Sequence, residues 1–185
     1  MTDETLYRRF FEGEQEAAKT LLERHGEKLT LYLHGVIHDM PDAEDLMVEA
    51  FSQLFRKRRS IHREGDFKAY LYKTGRNLAL RHLKKNRLSF LSLSEPDFEV
   101  REEALADTAL YEQERNQQLY AAMEKLNGEY REALYLLYFD ELSYAEAAAV
   151  LGKTVKQIDN LCARGKRQLK MILEQEGFPH ADYGG

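Results

Sequence analysis

Two capping signals separated by a single glycine constrain this chain more than any other feature. Ser143-Tyr144-Ala145-Glu146 and Thr154-Val155-Lys156-Gln157 each put a hydroxyl at a helix N-cap. Each also puts a side-chain acceptor three residues on, so orphan backbone donors are satisfied reciprocally. Between them Leu151-Gly152 offers the left-handed residue that ends a helix in a tight turn. The spacing predicts a short helix over 144–151 and a longer one from Thr154 to about Leu173. That is the helix-turn-helix pattern, with a plain αα-hairpin as the alternative. Ala147, Ala148, Leu151, Val155, Ile158, Cys162 and Leu169 are expected on its inner face. Lys153, Thr154, Lys156, Gln157, Asn160 and Arg164 then point outward near the start of the second helix. Amides suit adenine edges, and cations suit phosphates or guanine. Asp159 is a dissonant acid on that surface.

The rest of the chain reads as helix too. Apolar residues recur at helical spacing with no sustained alternation. Three prolines, 11 glycines and no tryptophan disfavour a turn-rich β protein. Two short helices are expected around Leu6–Phe11 and Ala17–Leu22, separated near Gly13, with a third over about Glu27–His38. Asp42 reads as the N-cap of a helix from Ala43 to Arg59, whose acidic first turn and basic last turn suit the helix dipole. After a loop over 60–65, Asp66 caps a helix from Phe67 to about Leu88. The stretch from Ser89 to about Asp107 loses helical periodicity, carries Pro96 and is acidic, so it reads as a linker. Helicity resumes near Ala109, breaks at Asn127-Gly128 and continues over Glu129–Phe139. The expected fold is all-α: two small helical domains, 1–88 and 113–176, joined by a flexible acidic linker over 89–112, with a tail from 177.

A formal net charge of -5 argues on its face against a polyanion partner. The average conceals a mosaic. Residues 1–55 carry net -7, 56–88 net +10, 89–112 net -6, 113–152 net -4, 153–170 net +5 and 171–185 net -3. Two basic islands among acidic segments suggest two surfaces facing a polyanion, against the plainer reading of solvated helix faces. In the first island Tyr70, Lys73, Asn77, Arg81 and Lys84 share one helix face, while Phe67, Leu71 and Leu78 share another. Tyr72, Arg76, Lys85 and Arg87 are expected to extend the polar surface. Rings for stacking, amides for base edges and cations for phosphates are what single-stranded DNA requires.

Other chemistries find little support. The single cysteine, Cys162, excludes a disulfide framework and a multi-cysteine zinc site, and its inner-face position suits a small core residue. His34 and His38 are four apart on a helix, but apart from the adjacent Asp39 no third ligand has suitable spacing, so no metal or other cofactor is expected. No phosphate loop, Ser/His/Asp order or paired-carboxylate signature supports an enzyme or a small-molecule substrate. The acidic N-terminus lacks the apolar stretch of a secretory signal, and the run Ala133–Phe139 is too short for membrane insertion. A cytoplasmic protein is expected.

Asp42-Ala43-Glu44-Asp45-Leu46, Glu49-Ala50-Phe51, Leu54-Phe55, Phe67-Lys68-Ala69-Tyr70-Leu71-Tyr72 and Arg76-Asn77 together resemble region 2 of extracytoplasmic-function (ECF) sigma factors. These are promoter-recognition subunits of bacterial RNA polymerase. Leu126, Arg131, Leu134, Tyr138, Leu142–Glu146, Leu151-Gly152, Arg164, Lys166-Arg167 and Leu169 resemble their region 4. The resemblance implies that the helix bearing Glu44, Asp45 and Glu49 docks on core RNA polymerase. It implies that the loop over 60–66, with Tyr70, Lys73, Arg76, Asn77 and Arg81, opens the -10 element of promoter DNA and holds its non-template bases. It implies that Lys153, Thr154, Lys156, Gln157, Asn160 and Arg164 read the -35 element as duplex, while the linker threads toward the RNA exit path. Members of this family are commonly held by an anti-sigma factor, a partner no residue here discloses.

Some positions depart from the family pattern. Val48 stands where glutamine is usual, Tyr70 where tryptophan is common, and Asn127 where proline is expected. Asp159 and Leu161 occupy the places of a basic pair. Two rival functions stay open at this level. A helical regulator that binds polymerase without reading promoters would need neither basic island. A simple helix-turn-helix activator would not need Tyr70 and Asn77.

Overall fold

The computed structural model describes residues 1–92 and 114–177, and among them every regular element is a helix. The N-terminal group comprises α1 (Asp3–Phe11), α2 (Gln15–Ile37), α3 (Met40–Arg56) and α4 (Asp66–Ser92). The C-terminal group comprises α5 (Glu114–Glu124), α6 (Gly128–Leu134), a π-helical turn (Tyr135–Phe139), α7 (Tyr144–Leu151) and α8 (Val155–Gln175). No helix among the described residues is long and apolar enough to cross a membrane. Most of the expected linker, and the expected start of the next helix near Ala109, lie outside the described residues.

Several expected boundaries move, each for a physical reason. The second and third expected helices are one helix, α2. Gly26 lies inside it, where a Cβ would sit 3.3 Å from Leu22 Cδ1 and 3.7 Å from Met47 Sδ. The glycine serves close approach to α3 within a continuous helix. The N-cap of α3 is Asp39 and not Asp42: its carboxylate accepts from Asp42 N–H at 2.9 Å, and Pro41 occupies the first turn where its missing donor costs nothing. Asp42 instead reaches His82 of α4 at 3.0 Å. α3 stops at Arg56, short of Arg59, and Lys57 is extended. α4 continues through 89–92, which read as linker: Leu88 and Phe90 are 58% and 47% exposed there, so a helix without a buried stripe leaves no apolar period.

The buried core runs continuously through both groups of helices. Leu29 and Leu33 of α2 pack on α4 at Gly75, where a Cβ would come within 3.1 Å of Leu29. Tyr72, expected on the polar surface, is fully buried, with its ring 5.5 Å from that of Tyr32. Tyr32 in turn lies 6.2 Å from Tyr135 of the C-terminal group, so three tyrosines bridge the two halves. Around them Arg76 Nε pairs with Glu132 at 2.9 Å, and the Lys68 ammonium donates to the Asp140 carbonyl. Asp140 itself is 1% exposed. The two halves therefore pack on each other along α4, α6, the π turn and α7.

Candidate nucleic-acid interface

The helix-turn-helix forms as its local signals dictate. Ser143 and Glu146 make a complete capping box, as do Thr154 and Gln157, and Gly152 takes the left-handed conformation at φ 64. Ala147, Ala148, Leu151, Ile158 and Cys162 are buried and Leu169 partly so. Val155 departs from the expected inner face at 50% exposure. It shares the register of Cys162 but stands in the first turn of α8, at the tip of the motif. Gly165 lets α8 settle on α6, since a Cβ there would meet Leu134 and Tyr130 at 3.2 Å.

This packing presents Lys156, Asn160 and Arg164 to solvent at intervals of four, one ridge of α8. Their three expected companions are already engaged. Lys153 pairs with Glu129 at 3.0 Å, and the Gln157 carbonyl oxygen accepts from Thr154 N–H at 2.9 Å. Gln157 thus keeps only its amide donors for an incoming base edge. Thr154 is exposed, but its hydroxyl is the N-cap acceptor. Cys162 lies beneath Tyr138 and Tyr144, with the Lys166 ammonium 4.6 Å from the Tyr138 ring centroid.

On α4, Tyr70, Lys73, Asn77 and Arg81 recur at intervals of three and four and line one face. Lys73, Asn77 and Arg81 are exposed, and Tyr70 is half-buried beneath the Arg59 guanidinium at 5.8 Å. Arg76 lies off this face, turned to Glu132. Burial alone would lower its pKa, but the neighbouring carboxylate outweighs that and raises it. Arg58, Arg59, His62 and Arg63 crowd the loop before α4, beside a cavity of about 300 Å³. The arrangement can stack a base, meet its edge with an amide and hold the flanking phosphates.

On α3, Ala43, Leu46 and Ala50 face inward, leaving Glu44, Asp45, Val48 and Glu49 as an exposed acidic strip. Gln53 donates to Glu49 at 3.1 Å across one turn. Val48 is 59% exposed, an apolar centre in that strip. His34 and His38 stand edge to face, and His38 contacts Glu124 at 3.4 Å.

Other residues that shape these surfaces were not legible as such. Glu4 and Tyr7 of α1 bind the loop before α4, while Asp140 and Glu132 sit at the junction of the two halves. Their partners are distant in sequence, so no spacing rule marks them.

Among the described residues every regular element is a helix, with a helix-turn-helix at one end and a basic aromatic helix and an exposed acidic strip at the other, the arrangement of a helical nucleic-acid-binding fold. Family comparison narrows that class: Sigma-70 region 2 matches residues 21–88 and Sigma-70, region 4 matches residues 116–169. The two segments span about two thirds of the chain, which belongs to the sigma-70 family, among its ECF sigma factors. The ECF RNA polymerase sigma factor BldN of Streptomyces coelicolor is 28% identical over 166 residues, covering 89% of this chain and 63% of BldN. The chain therefore spans less than two thirds of that relative. CnrH, solved in complex with the cytosolic domain of CnrY, shares the fold at a TM-score of 0.65 and 22% identity, over 95% of this chain and 99% of CnrH. So does the sigma factor RpoE in complex with the anti-sigma factor NepR from Bartonella quintana, at 0.64 and 20% identity, over 84% of this chain and 96% of that one.

Proposed function

We propose that this chain is a promoter-specificity subunit that binds core RNA polymerase, reads the -35 duplex and captures the -10 element to start transcription. The observation that carries this reading is the α4 face on which exposed Lys73, Asn77 and Arg81 align with the half-buried ring of Tyr70, pairing stacking with phosphate contact. A duplex-only activator has no use for it. The α3 strip of Glu44, Asp45 and Glu49 is the proposed polymerase contact. Lys156, Asn160 and Arg164 are the proposed -35 contacts, with Lys153, Thr154 and Gln157 available once their present partners are exchanged. Arg76 would join the -10 face only on leaving Glu132. The RpoE–NepR complex supports an anti-sigma factor as a further partner, and a cytoplasmic location follows from the polymerase.

The test is run-off transcription with purified core polymerase over a promoter library. Promoter-dependent initiation is expected; core binding without initiation would favour a polymerase regulator instead. Asn77→Ala should reduce open-complex formation about fivefold, one polar contact's worth, and leave closed duplex binding nearly intact. Equal losses in both would contradict base capture.

Lys156→Ala addresses the other surface. If Lys156 meets a phosphate, the slope of log affinity against log salt for a -35 duplex should fall by about 0.9. An unchanged slope would remove Lys156 from the phosphate contacts.

A further inference from the structure

The Sigma-70 region 2 match begins at residue 21, which leaves α1 outside it. Yet α1 reaches both ends of the loop before α4. At the entry, the Tyr7 hydroxyl donates to the Leu54 carbonyl at 3.0 Å and accepts from Arg59 N–H at 3.1 Å. At the exit, a single oxygen of Glu4 accepts from Gly65 N–H at 3.0 Å and from Phe67 N–H at 3.3 Å. Between these anchors α1 and the loop do not close on each other. The cavity of about 300 Å³ lies there, lined by Glu4, Tyr7, Arg8, Arg58, His62 and Glu64 among others. Asp66 holds the middle only from the loop's own side, accepting from His62 and Arg63 N–H at 3.3 and 2.8 Å.

The clamp has a fixed base. Asp3, the neighbour of Glu4, reaches His25 at 2.7 Å and Arg24 at 3.0 Å on α2. Tyr7 is 2% exposed, with its ring 5.6 Å from that of Phe67 and 5.1 Å from that of Phe11. Neither tyrosine hydroxyl nor glutamate is needed to form a nine-residue helix whose cap is Thr2. Their targets are all backbone groups of the loop and its flanks. Such contacts fix a loop's path without fixing its side chains.

We propose that Glu4 and Tyr7 are positioning residues for -10 recognition, holding both ends of the 57–65 loop so that its middle and Arg59 meet an unstacked base in one geometry. This inference rests on the promoter-reading function proposed above. Arg59 links the two: its N–H is held by Tyr7 and its guanidinium covers Tyr70 on the α4 face.

The experiment uses the full chain assembled with core polymerase and a random pool of single-stranded DNA 12-mers. Bound sequences are read, and preference at each base position is compared between variants. Tyr7→Phe keeps the ring and deletes only the anchor; Glu4→Ala deletes the other, and Glu4→Gln retains an acceptor oxygen. Tyr7→Phe and Glu4→Ala should each reduce base preference about fivefold, with Glu4→Gln close to the parent and polymerase affinity unchanged in all three. Amide exchange at Arg59 and at Gly65 should rise in the corresponding variant. A merely structural role would lower the melting temperature and leave base preference where it was, and that outcome overturns the proposal. If Glu4→Ala does not fold, the Tyr7→Phe result decides. No enriched sequence with the parent chain would overturn the promoter reading itself, and the clamp with it.

Discussion

Stability should fall as pH rises from 5 to 7, and one side chain should account for most of the fall. Burial pushes the Asp140 carboxyl up to about 7, with Tyr72, Lys68 and Lys28 pulling it back and Glu141 adding to the rise. In the unfolded chain the same group titrates near its ordinary 3.8. A raised folded pKa means the native state holds a proton that the unfolded state releases. The stabilising contribution is therefore complete below about 4 and is lost progressively up to about 7, at about 1.4 kcal/mol per pH unit. Above 7 both states are ionised and the curve levels. Denaturant midpoints from pH 5 to 8 should show wild type losing about 2–3 kcal/mol relative to Asp140→Asn, a neutral group of the same shape. Parallel curves for the two proteins would mean that Asp140 is ionised throughout that range.

The second large effect lies a few ångströms away. Glu132→Ala removes the partner of Arg76, whose side chain is only 23% exposed while that of Glu132 is 15% exposed. Fully exposed pairs are worth about 0.5 kcal/mol, and breaking a fully buried one costs about 4 kcal/mol; this pair lies between, near 2 kcal/mol. Tyr32 lies fully buried beside the same pair, its hydroxyl pKa raised by burial and, less, by Glu132. A double-mutant cycle with Arg76→Ala should recover more than half of the Glu132→Ala cost, because the double variant strands no charge. Simple additivity would show that the ion pair contributes nothing.

The features read correctly from sequence share one property. The capping boxes at Ser143 and Thr154 and the left-handed Gly152 depend on partners within three or four residues, so local chemistry decides them. The basic face of α4 and the acidic strip of α3 likewise follow from helical periodicity alone. What escaped the reading depends on tertiary neighbours. The expected gap between Leu22 and Glu27 is closed by continuous helix in which Gly26 lies against Met47; Tyr72 looked like a surface ring and is the centre of the junction. Glu4 and Phe67 are 63 residues apart, and Arg76 and Glu132 are 56 apart, separations no periodicity spans. Asp140 is the extreme case, since an aspartate beside a glutamate in a loop is read as solvated unless something is known to cover it.

The packing of α4 against α7 has one more consequence. By their own numbering, promoter elements at -10 and -35 are 25 base pairs apart, about 85 Å along B-form DNA. A 27-residue helix such as α4 measures about 40 Å. In this structure α4, which bears one proposed reading surface, packs on α7, the short helix that carries α8 and the other surface, with Glu146 of α7 over Gly65 just before α4. On the promoter-reading function proposed above, a chain that grips both elements at once would have to part along that seam. Under that same reading, the fraction of molecules open for a promoter would depend on the tyrosines and acids of the seam, which need never touch DNA.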